Sequence, residues 1–272
     1  MYKRQSLTLD SILSQTVLPK QVIVVNDNST DNTADIIGSY VEKHSFISLV
    51  NNNSTTQHLP GSKVIQAFNK GLKKLDDDYD FIVKLDADII LPTNYFETLI
   101  NHLQSDDKIG MVGGFAYIEK DDKWVLENLT NKDHIRGAFK AYRKQCFTDI
   151  GQLKTSMGWD TVDELLAQYH GWKIKTDESL KVKHLKPTGQ SYNKAARYKQ
   201  GEAFYKLGYG LTLTSIASLK LALLKKKPFL FFDYLKGFFK AKNTRTEKLV
   251  SKKEERFIRQ LRWRGIRQKL GL

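Results

Sequence analysis

Short apolar runs alternate with helix-length segments from about residue 20 to residue 190. This alternation is typical of βαβ units, whose strands pair in a largely parallel sheet covered by helices. The predicted strands are Val22–Asn26, Phe46–Val50, Phe81–Asp86, Met111–Ile118 and Lys181–His184. The pattern therefore predicts an α/β domain with a mostly parallel open sheet, which binds its ligands at the carboxyl ends of the strands.

The segments between these strands carry apolar residues at helical spacing. The predicted helices are Leu7–Gln15, Asn32–His44, Ser62–Leu75, Thr93–Gln104 and Thr161–His170. Residues 119–135 are polar and only weakly periodic. We expect a loop or variable insertion there, without a role in the chemistry.

Positive charge is concentrated near the carboxyl terminus. Residues 191–272 carry 21 lysines and arginines against 5 acidic residues, a net +16, which leaves −2 for residues 1–190. One helical stripe is expected to hold Phe204, Leu207, Leu211, Ser215, Ser218, Leu219, Ala222 and Leu223. The sequence thus predicts a catalytic domain over residues 1–190 and a basic, aromatic-rich helical tail over 191–272 that docks on an anionic membrane surface.

Composition excludes several classes of protein. The chain has 5 prolines and 17 glycines among 272 residues, which excludes a collagen and a low-complexity disordered chain. It has no uncharged apolar stretch of about 18 residues and no signal-peptide pattern. Its single cysteine, Cys146, excludes an internal disulfide framework, and we expect this residue to be buried. These features favour a cytoplasmic protein, peripheral on the inner face of the membrane.

Two carboxylates follow an apolar strand. Asp86 and Asp88 are separated by one residue, and strand periodicity would point both to the same side. Oxygen ligands at a strand end suit a hard cation that also binds a diphosphate. The alternative is a solvated turn.

A second polar cluster, Asn26–Asp31, follows the apolar run of Val22–Val25. Ser29, Thr30 or Asp31 would cap the next helix. Capping explains one of these residues and leaves the others available for binding.

These motifs together resemble inverting family-2 glycosyltransferases, which have the GT-A fold. Val24–Asp31 resembles the VVDDGSTD segment of that family, Ala67–Leu72 its A-R-N-x-G-L helix, and Asp86–Asp88 its metal-binding Asp-x-Asp. The motifs occur in the family's order over roughly residues 6–190. Two positions depart from the family pattern, because Asn26 replaces an aspartate and Phe68 an arginine.

The resemblance implies roles for individual residues. Asp27 would bind the nucleotide base, and Asp86 would contact the ribose or metal-bound waters. Asp88 would ligate Mg²⁺ or Mn²⁺ on the sugar-nucleotide diphosphate. Asn28 and Asn69 would also belong to the donor site. His184 is either a further metal ligand or a structural histidine, whereas the other histidines, including His134, are expected to have no role in the site.

The catalytic base has two candidates. Asp160 lies at the distance from Gly171 that the family's base would occupy, whereas Asp163 falls one turn into the helix. An acidic residue in a first helical turn also has a structural explanation, since it offsets the helix dipole. The resemblance favours Asp160 as the base and keeps Asp163 as the alternative.

The resulting prediction is a glycosyltransferase that moves a sugar from a nucleoside diphosphate donor to a hydroxyl acceptor, such as a lipid-linked glycan, with inversion. The products would be cell-surface polysaccharides or glycolipids. One alternative is a basic nucleic-acid-binding protein, because the basic tail would attract a polyanion. However, residues 1–190, which carry the paired carboxylates, have a net charge of −2, and no nucleic acid is expected as a partner. A nucleotidyltransferase is another, but no glycine-rich basic phosphate loop is present.

The amino-terminal residues suggest that one strand of the sheet is missing. In the family, a buried first strand precedes the helix that Leu7–Gln15 matches, and residues 2–5 are too few and too polar to form it. We therefore expect an amino-terminally incomplete copy of a working enzyme, poorly folded or inactive as written.

Overall fold

The computed structural model describes residues 4–53, 61–127, 132–186 and 197–271. The helices are α1 (Arg4–Leu13), α2 (Thr33–Lys43), α3 (Ser62–Leu72), α4 (Tyr95–Ser105), α5 (Lys144–Asp149), α6 (Trp159–Tyr169), α7 (Lys199–Lys206), α8 (Leu211–Leu224), α9 (Leu230–Asn243) and α10 (Lys252–Lys269). The strands are β1 (Val22–Asp27), β2 (Ile47–Asn52), β3 (Phe81–Leu85), β4 (Ile89–Ile90), β5 (Ile109–Lys120), β6 (Lys123–Leu126), β7 (Phe139–Arg143) and β8 (Lys173–His184).

The described strands form two separate sheets. β1 pairs in parallel with β2, and a second sheet has the order β3-β7-β5-β8-β4, with β6 added to β5. Within the second sheet only β5 and β8 are parallel, and the other pairs are antiparallel. The α/β class is confirmed, but the prediction of one mostly parallel sheet is wrong. Residues 132–138, which precede β7, are not helical, and β7 lies antiparallel between β3 and β5.

The expectation of a loop or variable insertion over residues 119–135 is wrong for residues 119–126, which form a hairpin, whereas residues 128–131 lie outside the described residues. β5 continues to Lys120 and pairs with β6 through a two-residue turn. Asp121 and Asp122 form that turn with positive φ angles of 50° and 57°. Such angles are typical of type I′ hairpin turns, in which aspartate is tolerated.

The carboxyl-terminal helices share a core with the α/β portion. Phe204, Leu213, Phe238 and Ile258 are buried in the same cluster as Trp159 and its neighbours on α6. α7 and α9 cross closely, because a Cβ on Gly237 would lie 2.0 Å from the carbonyl oxygen of Tyr198. The predicted boundary at residue 190 lies outside the described residues, and the two-domain division stays a prediction.

The predicted single stripe of the tail is divided between two surfaces. Phe204, Leu207, Ser218 and Ala222 are buried, whereas Leu211, Leu219 and Leu223 are exposed. The chain turns at Gly208, with a φ of 78°, so α7 and α8 do not continue one helical face. Across the described ranges, none of the helices has both the length and the apolar character needed to span a bilayer.

Candidate active site

The carboxyl end of β1 presents hydrogen-bonded polar side chains. Asn52 Nδ2 donates to Asp27 Oδ1 at 2.8 Å, and Asn26 Nδ2 donates to Asn51 Oδ1 at 3.0 Å. Both contacts follow from the parallel register, which places each asparagine of β2 beside its partner on β1. Asn28 then turns the chain with a φ of 55°. The two strands thus hold Asp27 at the edge where ligands of α/β proteins bind.

Among the three predicted capping residues, Asp31 makes the contact. Its Oδ1 accepts the backbone N–H of Thr33 at 3.1 Å, at the first turn of α2. This leaves Asp27 and Asn28 outside the capping interaction. On α3, the Oδ1 of Asn69 is buried and has no hydrogen-bond partner among the described residues.

Asp86 and Asp88 lie past the end of β3, in the turn that leads to β4. The expectation that strand periodicity aligns them is wrong, because neither residue belongs to the strand. The Asp86 backbone N–H donates to the Ala138 carbonyl at 2.8 Å, and its carboxylate pairs with the buried Lys84 ammonium. Asp88 points to a different partner, His184.

The pairing of β4 with β8 brings Asp88 and His184 together. Ile89 lies opposite His184 in this antiparallel pair, and the Leu185 N–H donates to the Asp88 carbonyl at 2.8 Å. His184 Nε2 lies 3.5 Å from Asp88 Oδ1. Its Nδ1 lies 3.9 Å from Glu127 Oε2. Burial alone would lower the pKa of His184, but the two carboxylates outweigh it and raise the pKa to about 9.

This pair has the composition of a partial divalent-cation site. Octahedral Mg²⁺ binds at 2.0–2.1 Å, which places neighbouring ligand atoms about 3 Å apart, close to the Asp88–His184 separation. Mn²⁺ accepts imidazole as well as carboxylate. Within the described segments, no group of three or more histidine, cysteine, aspartate or glutamate side chains is arranged around one metal position. The two residues therefore fit a cation whose remaining ligands are water and substrate phosphate.

Asp160 and Asp163 lie in different environments of α6. The Asp163 side chain is 1% exposed, and it accepts hydrogen bonds from Lys140 Nζ and, at 2.6 Å, from the Tyr142 hydroxyl. Burial raises the pKa of Asp163 to about 6, although Lys140 opposes this shift. The Asp160 side chain is 35% exposed. Of the two carboxylates, Asp160 is the one that an acceptor can reach.

Two residues that contact side chains of the candidate site were not expected to belong to it. His134 Nδ1 lies 2.9 Å from Glu164 Oε2, and its Nε2 lies 3.8 Å from Asp160 Oδ2. Glu127 is buried beside His184 and pairs with Arg136. Both lie within the polar residues 119–135, where no local spacing distinguishes them.

Comparison with known proteins identifies the family. The model of glycosyl transferase family 2 matches residues 7–153, more than half of the chain. The chain belongs to glycosyltransferase family 2. As a member of that family it is an enzyme of the transferase class.

Among curated relatives, the poly-beta-1,6-N-acetyl-D-glucosamine synthase of Staphylococcus aureus (strain COL) is 26% identical over 216 residues, covering 71% of this chain and 50% of that protein. The synthase of the same name from Staphylococcus epidermidis is 26% identical over 171 residues, covering 55% of this chain and 39% of that protein. The chain spans half or less of the length of these two relatives.

Solved structures support the fold assignment. The mannosyltransferase PcManGT of Pyrobaculum calidifontis, in complex with GDP-Man and Mn²⁺, aligns with a TM-score of 0.55 at 16% identity, covering 89% of this chain and 73% of that one. GalNAc-T7, with UDP, GalNAc and Mn²⁺, aligns with a TM-score of 0.57 at 12% identity, covering 78% and 47%. These similarities confirm the predicted GT-A fold for this member of glycosyltransferase family 2.

Proposed function

We propose that this chain transfers a sugar from a nucleoside diphosphate-sugar to a hydroxyl acceptor, with inversion, in polysaccharide or glycolipid synthesis. The observation that carries the proposal is the convergence of Asp88 and His184 at a strand end, together with a half-buried Asp160 on α6. The names of the two relatives and the sugar nucleotide and Mn²⁺ in the complex of PcManGT support the same chemistry.

In this proposal the donor binds across the carboxyl ends of β1 and β3. Asp27, oriented by Asn52, binds the nucleotide base. Asn28 and Asn69 are further proposed residues of the donor site. Asp86 contacts the ribose or metal-bound waters. Asp88 and His184 hold Mg²⁺ or Mn²⁺. When bound, the cation offsets negative charge that develops on the departing diphosphate.

Asp160 is the proposed general base, and Asp163 is the alternative. The acceptor oxygen forms a bond to the anomeric carbon while the bond from that carbon to the diphosphate oxygen breaks. The acceptor proton passes to Asp160, and the bonding electron pair leaves with the nucleoside diphosphate. Attack opposite the leaving group inverts the anomeric configuration. Lys140 fixes the first turn of α6 for this step, since its Nζ donates to the Asp160 carbonyl at 2.8 Å.

The donor site is tested by titrating UDP-, GDP- and dTDP-sugars in the presence and absence of Mn²⁺ by calorimetry. Asp88→Asn keeps the side-chain shape but removes its charge, so we expect the Mn²⁺-dependent part of donor affinity to disappear. Asp107→Asn is the matched control, because Asp107 is fully exposed and precedes the amino end of β5. Unchanged Mn²⁺ dependence in a folded Asp88→Asn protein would refute the assignment.

The base is tested by comparing Asp160→Asn with Asp163→Asn. Asp160→Asn should retain donor binding and lose transfer by a factor of about 10² to 10⁴, the usual effect of losing a general base. Asp163→Asn should affect thermal stability more than turnover, because Asp163 is buried against Lys140. The opposite order of the two transfer rates would move the base to Asp163.

The outer surface of α8 and α9 supports an anionic membrane as a further partner. Its exposed apolar residues are Leu211, Ile216, Leu219, Leu223, Leu224, Phe229, Phe232 and Phe239. Exposed lysines surround them at positions 220, 225–227, 236 and 240. Each basic residue near an anionic bilayer contributes about 1 kcal/mol, and buried aromatic rings add to it. This surface would keep the enzyme at the inner face of the membrane, beside lipid-linked acceptors.

Co-sedimentation with vesicles of phosphatidylcholine and phosphatidylserine tests this surface. The double substitution Leu223→Ser and Phe232→Ser should reduce sedimentation, and added salt should weaken binding of the unmodified chain. Leu270→Ser is the control, since Leu270 is 68% exposed but lies at the end of α10. Equal sedimentation of the double variant, or salt-sensitive binding to RNA without vesicle binding, would refute the membrane proposal.

A further inference from the structure

His134 lies between two carboxylates of α6. Asp160 and Glu164 are four residues apart, so their side chains project from one face of the helix. The imidazole Nδ1 lies 2.9 Å from Glu164 Oε2, and the imidazole Nε2 lies 3.8 Å from Asp160 Oδ2. The two ring nitrogens therefore face different carboxylates, one of which is the proposed general base.

The segment that carries His134 is held against α6. The backbone N–H of Ile135 donates to Glu164 Oε1 at 2.9 Å, and a Cβ on Gly137 would lie 3.0 Å from the Asp160 Cβ. The imidazole is half-buried, with 16% of its side chain exposed. These contacts fix the ring beside the first turn of α6, where it has limited access to solvent.

The contact with Glu164 determines which ring nitrogen carries the proton. Burial alone would raise the pKa of Glu164, but Lys140 and His134 outweigh burial and lower it. Lys140 Nζ donates to Glu164 Oε1 at 3.0 Å. An ionised carboxylate can only accept hydrogen bonds, so the proton in the contact with Glu164 belongs to Nδ1. In the neutral imidazole, Nε2 then has a lone pair on the side of Asp160.

An imidazole is a stronger base than a carboxylate. In water, histidine binds a proton near pH 6.5 and aspartic acid near pH 3.9. A proton that reaches an aspartate beside a neutral histidine therefore moves favourably to the histidine. A second carboxylate behind the ring stabilises the resulting imidazolium, as in the Ser-His-Asp arrangement of hydrolases. Here Glu164 lies behind the ring of His134 and Asp160 lies in front of it.

We propose that His134 is a second proton acceptor, which takes from Asp160 the proton that Asp160 removes from the acceptor hydroxyl. The step rests on the proposed function, in which Asp160 is the general base. The O–H bond on Asp160 Oδ2 breaks, its electron pair stays on the carboxylate, and an N–H bond forms on His134 Nε2. Asp160 is then ionised again, and the imidazolium passes its proton to water after the products leave. The 3.8 Å separation shortens for this step, as hydrogen bonds of active sites often do when substrate binds.

The charged groups around the imidazole come from two elements of the described chain. Asp160 and Glu164 belong to α6, and Lys140 of β7 pairs with Glu164. Asp163 of α6 pairs with the same lysine, and burial raises the pKa of Asp163 to about 6. Its protonation therefore overlaps the pH range in which histidine changes charge. For this reason the test compares proteins that differ only at His134.

The first experiment determines the tautomer of His134 by nitrogen-15 NMR of the histidine-labelled full chain without substrate. The spectrum is recorded at about pH 8.5, above the range in which histidine changes charge. His134→Asn identifies the signals of His134 among those of the six histidines. We expect a proton on Nδ1 and none on Nε2. A proton on Nε2 would overturn the proposal, because that nitrogen could not accept another.

The second experiment compares the pH dependence of sugar transfer in the unmodified chain and in His134→Asn. The asparagine amide replaces Nδ1 as a donor to Glu164, whereas the Nε2 acceptor is lost. At pH 8 we expect kcat of the variant to be lower by about tenfold or more, with the KM for the donor unchanged. As pH falls to 5 the histidine becomes charged and cannot accept a proton, so the two rates should converge.

His102→Asn is the matched control, because His102 also pairs with an aspartate, Asp177, but lies in the last turn of α4. Its kcat should match that of the unmodified chain at every pH. A constant ratio between the unmodified chain and His134→Asn from pH 8 to pH 5 would overturn the proposal, because His134 would then only orient Asp160. A ratio that grows as pH falls would also overturn it, since the charged imidazole would be the active form. Absence of transfer by the unmodified chain would refute the proposed function as well, whereas normal transfer with either of these ratios would overturn this step alone.

Discussion

Replacing Lys140 with methionine should cause a large loss of stability. Lys140 is a fully buried lysine on β7, and its Nζ lies 3.1 Å from each Asp163 carboxylate oxygen and 3.0 Å from Glu164 Oε1. The carboxylates hold its pKa above the ordinary value although burial alone would lower it. Methionine fills a similar volume but carries no charge. The variant therefore leaves two buried carboxylates without their cation.

The expected cost follows from that imbalance. Removing one partner of a buried ion pair typically costs about 3 to 5 kcal/mol, because the remaining charge is not solvated. For a chain of this size, 1 kcal/mol corresponds to roughly 2–4 °C in melting temperature. The Lys140→Met variant should thus melt about 6 to 20 °C lower. Lys132→Met is the matched control, since the exposed Lys132–Glu178 pair contributes about 0 to 1 kcal/mol.

Thermal unfolding followed by circular dichroism, with urea titration as a check, measures this loss. Adding Asp163→Asn to Lys140→Met should recover part of the stability, because it removes one of the unpaired charges. If Lys140→Met costs no more than Lys132→Met, the buried cluster does not stabilise α6 and the reasoning fails. The reasoning also fails if adding Asp163→Asn to Lys140→Met lowers stability by as much as Asp163→Asn does in the unmodified chain.

The pH dependence of the variant should follow Asp163. Burial raises the pKa of Asp163 to about 6 even with Lys140 present, above its value of about 3.9 in an unfolded chain. Loss of Lys140 raises it further. The folded state then binds a proton that the unfolded state does not, so the variant should gain stability as pH falls from 8 to 5. The gain is complete below about pH 3.9, where the carboxyl of Asp163 is protonated in the unfolded state as well.

Three further predictions concern the helices and the single cysteine. Gly237→Ala should lower the free energy of unfolding, measured by urea titration, by about 1–3 kcal/mol or more, because its Cβ would overlap the Tyr198 carbonyl. Gly265→Ala should leave the free energy of unfolding unchanged, since nothing lies within 4 Å of that position. Thr214→Val should raise the free energy of unfolding by about 1 kcal/mol, because the buried Thr214 hydroxyl has no partner among the described residues. Cys146 should react with a thiol reagent only in denaturant, because it is buried and burial raises its pKa to about 12.

Helices and strands were predictable where periodicity was strong. Apart from β4, which was not predicted, the segments from β1 to α4 begin and end within about three residues of their predicted bounds. β7 was not predicted, because a lysine at position 140 is typical of a solvent-facing residue and interrupts the apolar pattern. In the structure Lys140 is buried in an ion cluster instead. The order and direction of the strands depend on contacts distant in sequence, and local patterning contains no information about them.

The site residues were predictable to the extent that they belonged to motifs. Asp27, Asp86 and Asp88 lie in the loops that follow strands or at their ends, and His184 ends the last strand. Glu127 and His134 were missed, since each depends on a partner at least 30 residues away. The roles of all these residues stay predictions until donor binding and transfer are measured.

The segment from His134 to Ala138 connects the two halves of the proposed site. Its Arg136 pairs with Glu127 beside His184, and its Ala138 carbonyl accepts the Asp86 N–H. Between them, Gly137 packs so closely on α6 that a Cβ would lie 3.0 Å from the Asp160 Cβ. The proposed donor and base residues are therefore held by one short segment, so a change in its backbone should alter both. Residues 134–138 would in this way set the separation between the leaving group and the base. Because this segment has no recognised motif, the sequence alone locates the site residues but not their arrangement.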